Sequence, residues 1–180
     1  MKRQTGFSIT ELMVVVAIVA ILLGIGVPSY RYITNSYRMS AEVNGLLGDL
    51  QYARSEAIKE GQPVTVCVST NATGCAGTTT WQSGWIIYSN PANTTVPAAG
   101  SVLRVQNAFG GSTPDTFTAS NTVSAITYNR EGFANTAAGF VTTTITLQDP
   151  TANGAWTRCL LIAPATPLST QTHQMNPGTC

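Results

Sequence analysis

From Leu12 to Val27 all sixteen residues are apolar or glycine, and from Phe7 up to that run the polar residues are Ser8, Thr10 and Glu11. Coiled into a helix, Phe7–Val27 spans about 30 Å, the thickness of a bilayer core. Beyond Pro28 the pattern changes. Val43, Leu46, Leu47, Leu50, Ala53, Ala57 and Ile58 recur at spacings of three and four and define one apolar face. Glu42, Asp49, Arg54, Glu56, Lys59 and Glu60 occupy the remainder and read as a solvated face. Gly61 and Pro63 form a helix stop. The spacing predicts one helix from about Ser8 to Glu60, about 80 Å long, with an amphipathic second half. Gly45 and Gly48 each weaken such a helix by about 1 kcal/mol relative to alanine, and we read them as permitting close approach of a strand.

After Gly61 short apolar runs alternate with clusters of Gly, Pro, Asn, Ser and Thr, the pattern of strands and turns. Strands are expected at about Pro63–Val68, Gly84–Ser89, Ser101–Gln106, Ser124–Asn129, Val141–Gln148 and Arg158–Ala163, with polar loops over 69–80 and 90–100. The predicted fold is α+β, a long N-terminal helix with a membrane-spanning first half, packed on an antiparallel sheet. The chain divides into a leader (1–6), a transmembrane and assembly helix (7–28), an amphipathic helix (29–61) and an exported β-rich domain (62–180).

Lys2 and Arg3 precede the apolar run and would stay on the cytoplasmic side, leaving the rest of the chain facing outward. An ordinary secretory signal is the alternative, with Gly24-Ile25-Gly26 as a weak cleavage site. Two features weigh against it. The helical pattern continues past Pro28, and Glu11 stands at the start of the apolar run, where a carboxylate costs several kcal/mol unless it is paired. The formal charge is +1, and removal of Lys2 and Arg3 leaves seven basic against eight acidic side chains. So balanced a chain has no bulk electrostatic footprint for nucleic acid. Four cysteines in an exported chain favour two disulfides, with three possible pairings. Pairing sequence neighbours, Cys67 with Cys75 and Cys159 with Cys180, is the expectation, each bridge worth about 2–4 kcal/mol. Buried thiols in a cytosolic protein are the alternative. No zinc-ligand spacing is present and no metal or cofactor is expected.

Gly6-Phe7-Ser8-Ile9-Thr10-Glu11-Leu12 closely resembles the type IV prepilin signature. The resemblance implies that a prepilin peptidase cuts between Gly6 and Phe7 and that Phe7 becomes N-methylphenylalanine. It implies that Glu11 neutralises the terminal amine of a neighbouring subunit during assembly. The charge physics agrees, because each charge alone in lipid is costly and the pair lowers that cost. Pro28 falls where the family often has proline. It frees the Gly24 carbonyl and marks a kink, or a place where the helix melts in the filament; a plain transmembrane proline is the alternative. Further along, Tyr52-Ala53-Arg54-Ser55-Glu56-Ala57-Ile58, Val64-Thr65-Val66-Cys67 with Cys75, Trp81-x-x-Gly84-Trp85-Ile86-Ile87-Tyr88, and Tyr128-Asn129-Arg130-Glu131-Gly132-Phe133 resemble, in order, segments of the GspH/FimT branch.

No catalytic motif is present, and the single histidine, His173, lies in a tail rich in Thr, Gln and Pro. Trp81, Trp85 and Trp156 read as core or edge aromatics. Arg31 and Arg38 share a helix face and read as contacts to membrane lipid headgroups. Asn71-Ala72-Thr73 and Asn93-Thr94-Thr95 read as chance sequons. The resemblance implies a minor pilin, a structural subunit near the filament tip that helps prime assembly with other major and minor pilins and the inner-membrane platform. A minor pseudopilin of a type II secretion system is the near alternative. DNA binding during transformation is the third. Relatives that bind DNA use a basic Gly-Arg-x-Arg motif. Here Ala163-Pro164-Ala165-Thr166-Pro167-Leu168-Ser169 stands in its place, leaving Arg104, Arg130 and Arg158 as the candidate phosphate contacts.

Overall fold

Helix α1 (Ile9–Glu60) carries both hydrophobic patterns in one element. The structure is a computed structural model that describes residues 8–110, 114–136, 139, 142–164, 168–172 and 180. It forms two compact units, Met1–Arg38 and Met39–Cys180.

In the second unit Met39, Val43, Leu46, Leu50, Ala53 and Ala57 are buried, and they follow the three-and-four spacing of one helix face. Nine strands among the described residues complete it: β1 (Val64–Val68), β2 (Gly84–Ser89), β3 (Val102–Asn107), β4 (Thr116–Ala119), β5 (Ala125–Tyr128), β6 (Ala134–Thr136), β7 (Thr143–Gln148), β8 (Arg158–Ile162) and β9 (Ser169–Thr172). They form two antiparallel sheets, ordered β3-β2-β1-β5-β6 and β4-β7-β8-β9. The single sheet read from the sequence is thus two. Strands β4, β6 and β9 were not expected.

β1 is central in its sheet and buried along its whole length, as its unbroken run Val64-Thr65-Val66-Cys67-Val68 requires. β7 alternates buried and half-buried residues, the signature of a sheet with one covered face. The apolar face of α1 joins the inner faces of both sheets in one core that includes Trp81, Trp85, Phe117, Ile145 and Leu160. Trp81 donates its indole N–H to the Val123 carbonyl at 3.1 Å. Trp85 meets Phe109 edge-on at 6.1 Å, and Phe109 stacks on Phe117 at 5.9 Å. Gly84 holds φ of +97°, and an added Cβ would lie 2.5 Å from the Gln106 carbonyl oxygen, so only glycine fits where β2 meets β3.

Three readings of the helix are corrected here. Gly45 and Gly48 face open space, with nothing within 4 Å of an added Cβ, so no strand approaches them. Ile58 is 53% exposed rather than on the buried face. Its end lies under Gly132, where a Cβ would come within 2.8 Å of it. Asp49 and Glu56 are not solvated: their side chains retain only 16% and 12% exposure.

Candidate functional site: the N-terminal helix and its latched domain

The first unit holds the residues that the prepilin resemblance singles out. Gly6 and Phe7 lie outside the described residues. The helix opens after Ser8, whose carbonyl accepts from Leu12 N–H at 3.1 Å and whose hydroxyl lies 2.6 Å from that of Thr10. Glu11 is in the first turn and exposed. A carboxylate there is favoured by the unpaired N–H groups and the positive end of the helix dipole. Every residue from Leu12 to Val27 is exposed, Ile25 to 70%. The helix is long and apolar enough to cross a membrane. It continues without interruption through Pro28. Gly24 and Gly26, one turn before, have open surroundings. Tyr30, Arg31, Tyr37 and Arg38 are all exposed after the apolar run. Thr34 donates back to the Tyr30 carbonyl at 2.8 Å, satisfying its hydroxyl within the helix.

In the second unit the polar side chains mostly fasten segments to each other. Asp49 accepts from the Trp85 indole at 2.9 Å with one oxygen and from Arg104 at 3.0 Å with the other. The Arg104 guanidinium also lies 4.1 Å over the Tyr52 ring. This cluster latches α1 to β2 and β3. The sequence hid it because Asp49 and Trp85 stand far apart along the chain; the one local signal was an acid set among leucines. Asn129 shapes the β5–β6 turn. Its side-chain oxygen accepts from Glu131 N–H at 3.1 Å and Phe133 N–H at 2.9 Å, and Gly132 takes φ of +81°. The same glycine brings the turn against Arg54 and Ile58 at the end of α1. Two of the segments that resemble the GspH/FimT branch therefore meet there.

The three arginines named as phosphate contacts stand on different elements. Arg104 is on β3 and engaged by Asp49. Arg130 is in the β5–β6 turn, 3.5 Å from Glu131. Arg158 begins β8, half-buried, and donates to the carbonyls of Ala155 and Thr157. Cys67 is bonded to Cys75, with Cα atoms 5.5 Å apart, and Cys159 to Cys180, at 5.6 Å. Among the described residues no cluster of three or more His, Cys, Asp or Glu side chains could hold a metal ion. His173 lies outside them. Trp81 and Trp85 are core residues and Trp156 packs half-buried against that core. Asn71 organises its own turn by accepting from the N–H groups of Thr73 and Gly74. Burial pushes the Tyr128 phenol above its ordinary value of 10.0, opposed by the nearby Arg54 charge. Its hydroxyl has no hydrogen-bond partner among the described residues.

Known proteins resemble the chain at three levels. The prokaryotic N-terminal methylation motif matches residues 1–27. Two fimbrial proteins of Pseudomonas aeruginosa are each 39% identical over 64 residues, 36% of this chain. That match spans 41% of the length of those relatives. Crystal structures of the type IV minor pilin FimU of Pseudomonas aeruginosa, in two crystal forms, superpose with TM-scores of 0.57 and 0.61 at 20% identity. They cover 78% and 82% of this chain and 98% of FimU in each case. The fold is therefore that of a type IV pilin-like subunit. The family described as Type II transport protein GspH matches residues 42–166, most of the chain and nearly all of the second unit. By that match the chain belongs to the GspH family of pilin-like proteins.

Proposed function

We propose that the chain is a minor type IV pilin, a structural subunit that helps prime or assemble a pilus filament. The observation that carries the reading is the run Leu12–Val27, apolar and exposed on every side. Exposing such a surface to water is costly, whereas lipid and other apolar helices accommodate it. A subunit that waits in the inner membrane and then joins a helical bundle uses both in turn. Repetition by an operator that does not close gives a filament. The domain is on the periplasmic side, because Lys2 and Arg3 hold the other end in the cytoplasm.

The methylation motif over residues 1–27 supports processing by a prepilin peptidase. The cut falls between Gly6 and Phe7, and Phe7 is then N-methylated. Glu11 pairs with the methylated amine of a neighbouring subunit, and Pro28 sets a weak point in the rod. In a Glu11→Ala variant leader cleavage is retained, but the protein is missing from sheared filaments. Normal incorporation of that variant overturns the role given to Glu11. Deletion of the gene sharply reduces surface pili, and the wild-type gene restores them.

The family's description as a type II transport protein favours a second reading, a minor pseudopilin of a secretion system. Normal piliation with defective secretion in the deletion strain supports that reading instead. DNA uptake has less support, since the charge of Arg104 is already matched by Asp49. Binding to DNA that falls steeply with salt and requires Arg104, Arg130 or Arg158 would restore it.

A further inference from the structure

The outer face of the five-stranded sheet, the side away from α1, carries a cavity of about 360 Å³. Its floor is the hydroxyl pair of Thr65 and Thr127, 2.8 Å apart on β1 and β5. Its walls are the 90–95 loop, the Cys67–Cys75 bridge and β6. We propose that this cavity binds a neutral polyhydroxylated ligand, a single sugar ring, through its hydroxyl and amide groups.

Three observations lead there. The cavity is preformed. Asn90, 3% exposed, donates to Thr65 Oγ1 at 2.9 Å and to the Thr94 carbonyl at 3.0 Å, and accepts from Thr94 N–H at 2.8 Å. Tyr88 adds its hydroxyl to the same carbonyl at 2.6 Å, and Cys75 N–H donates to the Thr95 carbonyl at 3.1 Å. Loop, bridge and strands are thus fixed before any ligand arrives, which lowers the ordering cost of binding. The lining is also uncharged: among the described residues no Asp, Glu, Lys, Arg or His contributes to it. An ion would lose its hydration there without a counter-charge. Sugar hydroxyls both donate and accept, as do the groups that line the cavity. Finally, Asn93 and Asn135 line it with side-chain amides that have no hydrogen-bond partner among the described residues. The volume is at the small end of the range for small-molecule sites, about 300–1,000 Å³, and suits one ring rather than a chain.

The test is saturation-transfer difference NMR on the full chain in a detergent without a sugar headgroup, with glucose, galactose and N-acetylglucosamine as probes. At least one of the three shows transfer to its ring protons. The signal falls by about fivefold or more in Asn135→Trp, which sets an indole across the cavity from an exposed strand position. Thr127→Val keeps the shape of the floor and removes its hydroxyl, and it too reduces the signal. It serves as the deciding variant if the tryptophan disturbs the sheet. Absence of transfer from all three sugars, or undiminished transfer in the variant that keeps its fold, overturns the proposal.

Discussion

The two halves of α1 are equally helical and oppositely buried. Between Leu12 and Val27 apolar side chains occupy every direction around the axis, and all are exposed. Between Met39 and Ala57 they occupy one stripe, and that stripe is buried. The first half is therefore chosen by an environment outside the chain, the second by the chain's own sheets. A substitution in the first half should register in assembly and one in the second half in folding.

The largest effect that tests this contrast is on the core stripe. Leu50→Ala is expected to cost about 2–5 kcal/mol by loss of burial and creation of a cavity. Val19→Ala, exposed in the first half, should leave the thermal midpoint of the full chain in detergent unchanged. Equal losses for the two would break the comparison. Next is Asp49→Ala, which strands the buried indole N–H of Trp85 and releases Arg104; about 1–3 kcal/mol is expected from denaturant unfolding. A smaller change of opposite sign follows from Gly48→Ala. With open space around it, the variant should gain up to about 1 kcal/mol from helix propensity alone. A loss there would mean that something does approach the helix at that point.

The smallest effect is one of pH. Tyr128 has a folded pKa above its unfolded value near 10.0, because burial disfavours the phenolate. The folded state therefore holds this proton more tightly. The stability involved is fully present below pH 10 and is lost as pH rises from there toward the raised pKa. Tyr88, also raised by burial, adds to the loss in the same direction. Stability measured upward from pH 9 should decline above 10, and Tyr128→Phe should flatten the decline. That variant also removes a buried hydroxyl with no partner, so its stability at neutral pH should not fall.

The helix was legible because its periodicity is local: sixteen apolar residues, then a stripe at threes and fours, then Gly61 and Pro63. The strands β1, β2 and β8 were legible for a similar reason, each being a short apolar run between turn residues. β6 and β9 were not. Ala134-Asn135-Thr136 and Ser169-Thr170-Gln171-Thr172 have little apolar character, and they are strands only because a neighbour offers backbone partners. The split into two sheets was hidden likewise, since β4 pairs with β7 across an intervening part of the first sheet. In the candidate site, Glu11 and Pro28 stand out within a uniform apolar background. The Asp49–Trp85–Arg104 latch and the Asn90 network depend on contacts between distant segments, and no local spacing announces them.

The placement of β1 has a mechanical consequence. Only Gly61, Gln62 and Pro63 separate the end of α1 from this strand. β1 lies in the middle of its sheet, in register with β2 from Val64 to Val68 and with β5 from Val64 to Cys67. A pull carried along the helix is taken up first by its buried stripe from Met39 to Ala57 and only then by a strand gripped on both flanks. Such a strand slides free only when many hydrogen bonds break together, whereas an edge strand can be peeled off one bond at a time. The chain thus passes from a helix packed in the core straight into a strand held on both sides.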